Sequence, residues 1–422
     1  MAPPAPPAVR GSTVRSLGWV TAGTMLANLL AYAVQVPASR VLGPDGFGEF
    51  SVLNAAMLVA SVPALALQSV VARERVRGTS EPRLWRLIGI VFTVVLAASV
   101  VATGVMMRLA HTGLDSTAAA LASAAPLALI AGGQGLLQAA GRFQLLGIVL
   151  AAVGVLRSAP VVAAVYFGSD ATGALVAGTA GTVIAAVVVA LIAANPAGGS
   201  GSADDRRSAI ALPDVLAASG VQFVMIVAVS VDLLLSRSVL SPADAGVYAL
   251  GAVAAKAAFW LPQAVGVVVY PRLADPVRSG TALRSGVVVL GLIGFAVTAA
   301  AALGGPLVPT VISADYRPVA GLMWLFALTG ALLSVLQLML LTAIAQNRTR
   351  GALPALVVLV AEVIVIMTCV DSVIELIGVA ASAAACAVVA TGVWLVAADR
   401  PRSAATAGDA PTAPGRRRRR SR

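Results

Sequence analysis

Long apolar runs separated by short polar breaks organise the chain from Leu17 to Ala397. Reading between the breaks predicts twelve spans, near residues 17–39, 47–70, 84–108, 117–140, 143–167, 171–194, 214–236, 243–269, 285–304, 318–345, 352–370 and 373–397. As helices, runs of this length cross a hydrocarbon layer of roughly 30 Å. Alanine, valine and glycine fill them without period-two alternation, which predicts helices and not the strands of an outer-membrane barrel. The expected fold class is an all-α integral membrane protein with about 12 transmembrane helices.

Composition supports this. The chain is 59% hydrophobic and 11% charged, too few charges to cover the surface of a soluble protein of 422 residues. The start, "MAPPAPPAVRGSTVR", is proline-rich and lacks the order of a cleavable signal peptide. Residues 1–16 are expected to be a disordered cytoplasmic lead, and the first span an uncleaved signal anchor. Residues 398–422 read as a disordered basic cytoplasmic tail.

The cations are 28 arginines and Lys256. With the N-terminus inside, 23 arginines fall in the inner breaks and the tail, and only Arg40, Arg108, Arg237 and Arg317 in the outer ones. That asymmetry predicts both termini in the cytoplasm. The net charge of +11 therefore reports topology, and "GRRRRR" reads as an orienting, lipid-attracting segment, with nucleic acid not expected as a partner. Cys369 and Cys386 lie in the last two spans without C-x-x-C spacing, so buried small hydrophobes are expected, with no disulfide or metal site.

Two breaks echo each other. In "SRVLGPDGFGEFSVL" (39–53), Val41, Leu42, Pro44 and Gly48 align with Val239, Leu240, Pro242 and Gly246 of "RSVLSPADAGVYAL", 198 residues later, with Phe50 opposite Tyr248. A weaker echo pairs "LLQAAGRF" (136–143) with "LLTAIAQNRTR" (340–350). Both place their segments at matching points of a six-helix unit. Units at 17–194 and 214–397, joined by a polar cytoplasmic linker at 195–213, are expected. Six is even, so the halves enter the membrane from the same side as parallel repeats around a central cleft.

The stretch "SRVLGPDGFGEFSVL" followed by "ALALQSVVARERVRG" resembles the signature region of bacterial polysaccharide (O-antigen type) flippases, members of the multidrug/oligosaccharidyl-lipid/polysaccharide (MOP) exporter superfamily. "PTVISADYRPVAGLMWLFAL" and "LTAIAQNRTRGAL" are similar to that family's second half, and the resemblance covers most of residues 15–397. It implies two parallel six-helix bundles of MATE-like fold and alternating access. It also implies flipping of a polyprenyl-diphosphate-linked glycan to the outer leaflet of a bacterial cell membrane. Membrane lipids, and a polysaccharide polymerase or glycosyltransferases, would be its partners.

Enzyme machinery is not expected. The only lysine has no P-loop around it, "GPDGFG" lacks the spacing of a dinucleotide loop, and no G-x-S-x-G elbow occurs. His111 is the single histidine, and no cofactor is expected beyond a coupling ion, H⁺ or Na⁺. The alternatives to a flippase are a small-molecule or drug exporter on the same scaffold, a membrane-embedded glycosyltransferase, and a non-transporting scaffold.

Charges at bilayer depth are costly and normally face the protein interior or a watery cavity. Arg157 and Lys256 sit near the middle of their spans, one in each half. They either hold an anionic headgroup in the cleft or pair with Glu362 and fix packing. Glu362 is a candidate ion-coupling site or a salt-bridge partner of those cations. Asp232 is a second such candidate, with Arg237 as its expected local partner. Arg40 and Arg237 close the equivalent first helices of the two halves, as a basic rim of the cleft or as caps that snorkel to lipid. Asn28, Tyr32 and Gln35 share one face of the first span, where they contact sugar hydroxyls or bond to other helices.

Overall fold

The computed structural model describes residues 10–195, 220, 222–260, 279–345 and 352–406. Residues 1–9, most of the expected linker and the basic tail from 407 lie outside the described residues. Among the described residues every regular element is a helix. In the first half these are α1 (Arg10–Ala33), α2 (Gln35–Ala60), α3 (Val62–Val76), α4 (Glu81–Leu109), α5 (Leu114–Ala122), α6 (Pro126–Ala139), α7 (Phe143–Tyr166) and α8 (Ala171–Ala194). In the second they are α9 (Val231–Val239), α10 (Pro242–Trp260), α11 (Ser279–Gly304), α12 (Met323–Ala345), α13 (Leu353–Cys369) and α14 (Val373–Thr406).

Eight helical stretches are long and apolar enough to cross a membrane, and a bent pair, Gln222–Ala228 with α9, makes nine. The first stretch, Gly18–Val76, has 59 residues. As one straight rod it would run about 88 Å, far beyond a hydrocarbon core of roughly 30 Å. It breaks at Gly43, whose φ of 65° is open to glycine and costly for a residue with a Cβ, and Pro44 starts the next helix. Divided there, and with α10 and the shorter α13 included, the described helices fall at the twelve positions expected from the hydropathy pattern. The fold class is all-α and membrane-spanning.

The expected spans are less continuous than the pattern suggests. The second is interrupted at Ser61, one residue before α3 opens with a proline in its first turn. The fourth is divided into α5 and α6, with Pro126 opening the second piece. The seventh bends by 40° between Ala228 and Val231.

Two groups of helices result. In the first, α1 lies along α7, α3 along α6, and α5, α6 and α7 all pack on α8. In the second, α10, α11 and α14 pack on α12, and α13 on α14. Contact between the groups runs mainly from α2 to α10 and α9. Phe47 of α2 meets Tyr316 of the second group edge to face, ring centres 6.4 Å apart, and both are fully buried. Cys369 and Cys386 correct the sequence reading: both are exposed, on helix faces that no neighbour covers. A face turned to lipid keeps small apolar side chains as readily as a core does.

Candidate functional site

A cavity of about 470 Å³ lies inside the first lobe. Thr24, Ala27, Asn28, Ala31 and Gln35 form one wall, spaced by threes and fours so that they share a helix face. Asn54, Gln68, Gln134 and Thr182 add polar groups from other helices. Arg157, from the middle of α7, is the only charged residue in the wall among the described residues. Among the described residues its guanidinium has neither an ion-pair nor a hydrogen-bond partner. The Oε1 of Gln35 is likewise buried without a partner among the described residues. The chamber thus offers a planar five-donor cation, amide groups and hydroxyls, a set suited to an anion that also carries hydroxyl groups.

The second lobe holds a different pocket. It measures about 30 Å³ and is lined by Asp232, Glu362, Thr329 and apolar side chains. That is room for one or two waters or a bare cation. Asp232 and Glu362 are both buried, and Glu362 feels the charge of Asp232. Asp232 accepts the phenol O–H of Tyr248 at 2.5 Å and the Leu233 N–H at 2.7 Å. Lys256 lies within electrostatic range of Asp232 without forming an ion pair.

The symmetry of the two halves exposes a paired exchange. The counterparts of Asp232 and Tyr248, 198 positions earlier, are Val34 and Phe50, and both of these line the first-lobe cavity. The phenol is therefore present where the carboxylate is, and phenylalanine suffices where it is not. Tyr248→Phe is expected to destabilise the protein by about 1–3 kcal/mol, the cost of a buried acceptor losing its donor. A thermal melt in detergent checks this, and the same loss in an Asp232→Val background would refute the coupling.

At one end of the molecule the two lobes are tied. Both Nε and an Nη of Arg40 donate to the Val311 carbonyl oxygen in the second lobe. Arg237 of the second lobe donates from Nε to the Ala110 carbonyl at 3.1 Å, and from Nη1 to the Asp45 carboxylate at 2.9 Å and the Asp45 carbonyl at 3.2 Å. The Tyr316 hydroxyl donates to the Ser39 carbonyl at 3.1 Å. Burial, and then the charge of Asp315, push that phenol's titration upward, so it stays a donor at ordinary pH. Between these ties the backbones touch at Gly48 and Gly246, where a Cβ on Gly48 would stand 2.9 Å from the Gly246 nitrogen.

Several expected pairings are replaced. Asp232 does not pair with Arg237: five residues along a helix is a turn of about 140° beyond a full revolution, so the two side chains point apart. Arg157 and Lys256 do not share a site, since Lys256 does not line the first-lobe cavity. Glu362 makes no salt bridge to either cation among the described residues. Asn28 and Gln35 meet Arg157 in one cavity, whereas Tyr32, at the edge of the stripe, is absent from the wall. Arg40 and Arg237 bond to carbonyls across the lobe boundary and do not line the cavity. Asn54, Gln68 and Gln134 were missed, although each is an amide within an apolar span and carries the same signal as Asn28.

No protein-family model and no curated protein sequence matches the chain. Its fold is similar to that of lipid II flippase MurJ in an inward closed conformation, with 12% identity, coverage of 88% of this chain and 86% of that one, and a TM-score of 0.66. It is also similar to a multidrug resistance MATE family transporter of the MOP superfamily in an inward-facing conformation, with 15% identity, coverage of 94% and 99%, and a TM-score of 0.64. The eukaryotic MATE transporter AtDTX14 aligns at 15% identity over 91% of this chain and 96% of its own, with a TM-score of 0.59. The chain has the fold shared by these structures.

Proposed function

We propose that the protein is a membrane transporter that moves a lipid-linked, anionic oligosaccharide from the inner to the outer leaflet by alternating access. The observation that carries this reading is Arg157: among the described residues it has no acidic partner, and it faces amides and hydroxyls in a chamber of about 470 Å³. A buried cation is normally paired or serves a ligand. A diphosphate accepts the guanidinium fork, and sugar hydroxyls donate to free amide oxygens such as Gln35 Oε1. The arginine asymmetry supports a tied end that faces outward and termini that face the cytoplasm. Lys256 serves Asp232 in this reading and not the cargo. Asp232 and Glu362 together take up the coupling ion, H⁺ or Na⁺, in the second lobe. A polymerase or glycosyltransferases handle the glycan on either side of the step.

The test is a strain lacking the gene. It is expected to lose surface glycan and to accumulate polyprenyl-linked intermediate, and to recover when the gene is restored. Intact glycan combined with new sensitivity to cationic drugs would replace this reading with that of a drug exporter. Glu362→Gln is expected to make transport in energised vesicles indifferent to collapse of the ion gradient. Wild-type transport that already ignores both proton and sodium gradients would remove the coupling role.

A further inference from the structure

The ties at the closed end form a reciprocal pair with unequal halves. Arg40 and Arg237 end equivalent helices, and each reaches a carbonyl at the end of the third span of the opposite half, Val311 for one and Ala110 for the other. Asp45 breaks the equivalence. It supplies a carboxylate to Arg237, whereas its own counterpart, 198 positions later, is Ala243. The Arg237 side chain is 8% exposed while Asp45 is 66% exposed, so this ion pair is a lid over an arginine that is otherwise sealed.

We propose that these contacts are an asymmetric two-arginine latch that sets the balance between closed and open forms of this end, with the Arg40 side as the weak half that releases first. Three bonds to two acceptors in Asp45 and one in Ala110 hold Arg237, against a single carbonyl acceptor for Arg40. The Arg237–Asp45 bond joins two ionised groups, whereas the Arg40 bonds, and the Tyr316 hydroxyl bond to Ser39 beside them, all end on neutral carbonyls. Bending about the stronger side therefore costs least. Alternating access itself is common to this fold; the inequality of the two halves is read from Asp45 and Ala243 of this chain. The inference rests on the inter-lobe contacts and not on what the cavity carries.

The experiment is double electron–electron resonance on the full chain in detergent, without cargo. Spin labels go at exposed Asp115 and Thr310, with Cys369 and Cys386 replaced by alanine. Arg237→Ala is expected to raise the long-distance to short-distance population ratio about thirtyfold, and Arg40→Ala about fivefold, from the ordinary range of charge-assisted bonds. Asp45→Asn, an exposed substitution that leaves the core untouched, is expected to raise it about threefold. Ala243→Asp, which gives Arg40 the carboxylate it lacks, is expected to lower the ratio, and Arg40→Ala is expected to cancel that effect. Equal shifts from the two arginines, or an Ala243→Asp effect that survives Arg40→Ala, would overturn the proposal. Unchanged distances in both arginine variants would likewise overturn it, whereas shifted distances beside intact surface glycan in the deletion strain would count against the reading of the cavity and not against the latch.

Discussion

Arg157→Ala is expected to cut glycan export at least about thirtyfold while the protein inserts and accumulates normally. Truncating one member of a buried charge pair costs about 2–5 kcal/mol, and the low end of that range is already a thirtyfold loss of binding. Among the described residues no other charge lines the chamber to substitute for it. Folding is spared because Arg157 has no protein partner to abandon among the described residues. Arg157→Lys keeps the charge but not the planar fork, and is expected to retain an intermediate rate. Export is read as surface glycan in the deletion strain, with protein level measured alongside. Full export by Arg157→Ala would show that the anion is held elsewhere.

Gly246→Val is expected to force the tied end apart. A Cβ at residue 246 would fall on the Pro44 carbonyl group, and backbone cannot swing aside as a flexible side chain does. Overpacking of this kind costs about 1–3 kcal/mol or more. The lobes relieve it by separating, because the clash lies between them and not within either. The Asp115–Thr310 labels should then report the long distance as the major population. Gly46→Ala is the control, since its Cβ meets only Leu42 within its own turn, at 3.2 Å. A closed population unchanged by Gly246→Val would show that the contact is not maintained in the membrane.

Much of the fold was legible because apolar length and the Val41–Val239 register are properties of side chains along the sequence. That register also aligned Gly48 with Gly246, and these prove to touch. The latch was not legible, since three of its acceptors are the carbonyls of Val311, Ala110 and Asp45, and every residue has a carbonyl. Arg40 and Arg237 were singled out without a means to see where their donors go. The Asp232–Arg237 pairing failed through attention to spacing without rotation. Asn54, Gln68 and Gln134 needed only the question already asked of Asn28. The bend after Ala228 lies in "VSV", which contains neither glycine nor proline, and no local signal announces it.

The Gly48–Gly246 contact bears on symmetry. In a two-fold dimer of identical chains, a residue on the axis touches its own copy. These two glycines stand at the same register of the 198-residue echo, and they touch. A dimer of identical chains could not charge one chamber without charging the other. Two lobes within one chain are free of that restriction, and here Val34 and Phe50 stand opposite Asp232 and Tyr248, Ala243 opposite Asp45, and an arginine chamber opposite an acid pocket. Unlike lobes can divide their labour as identical ones cannot.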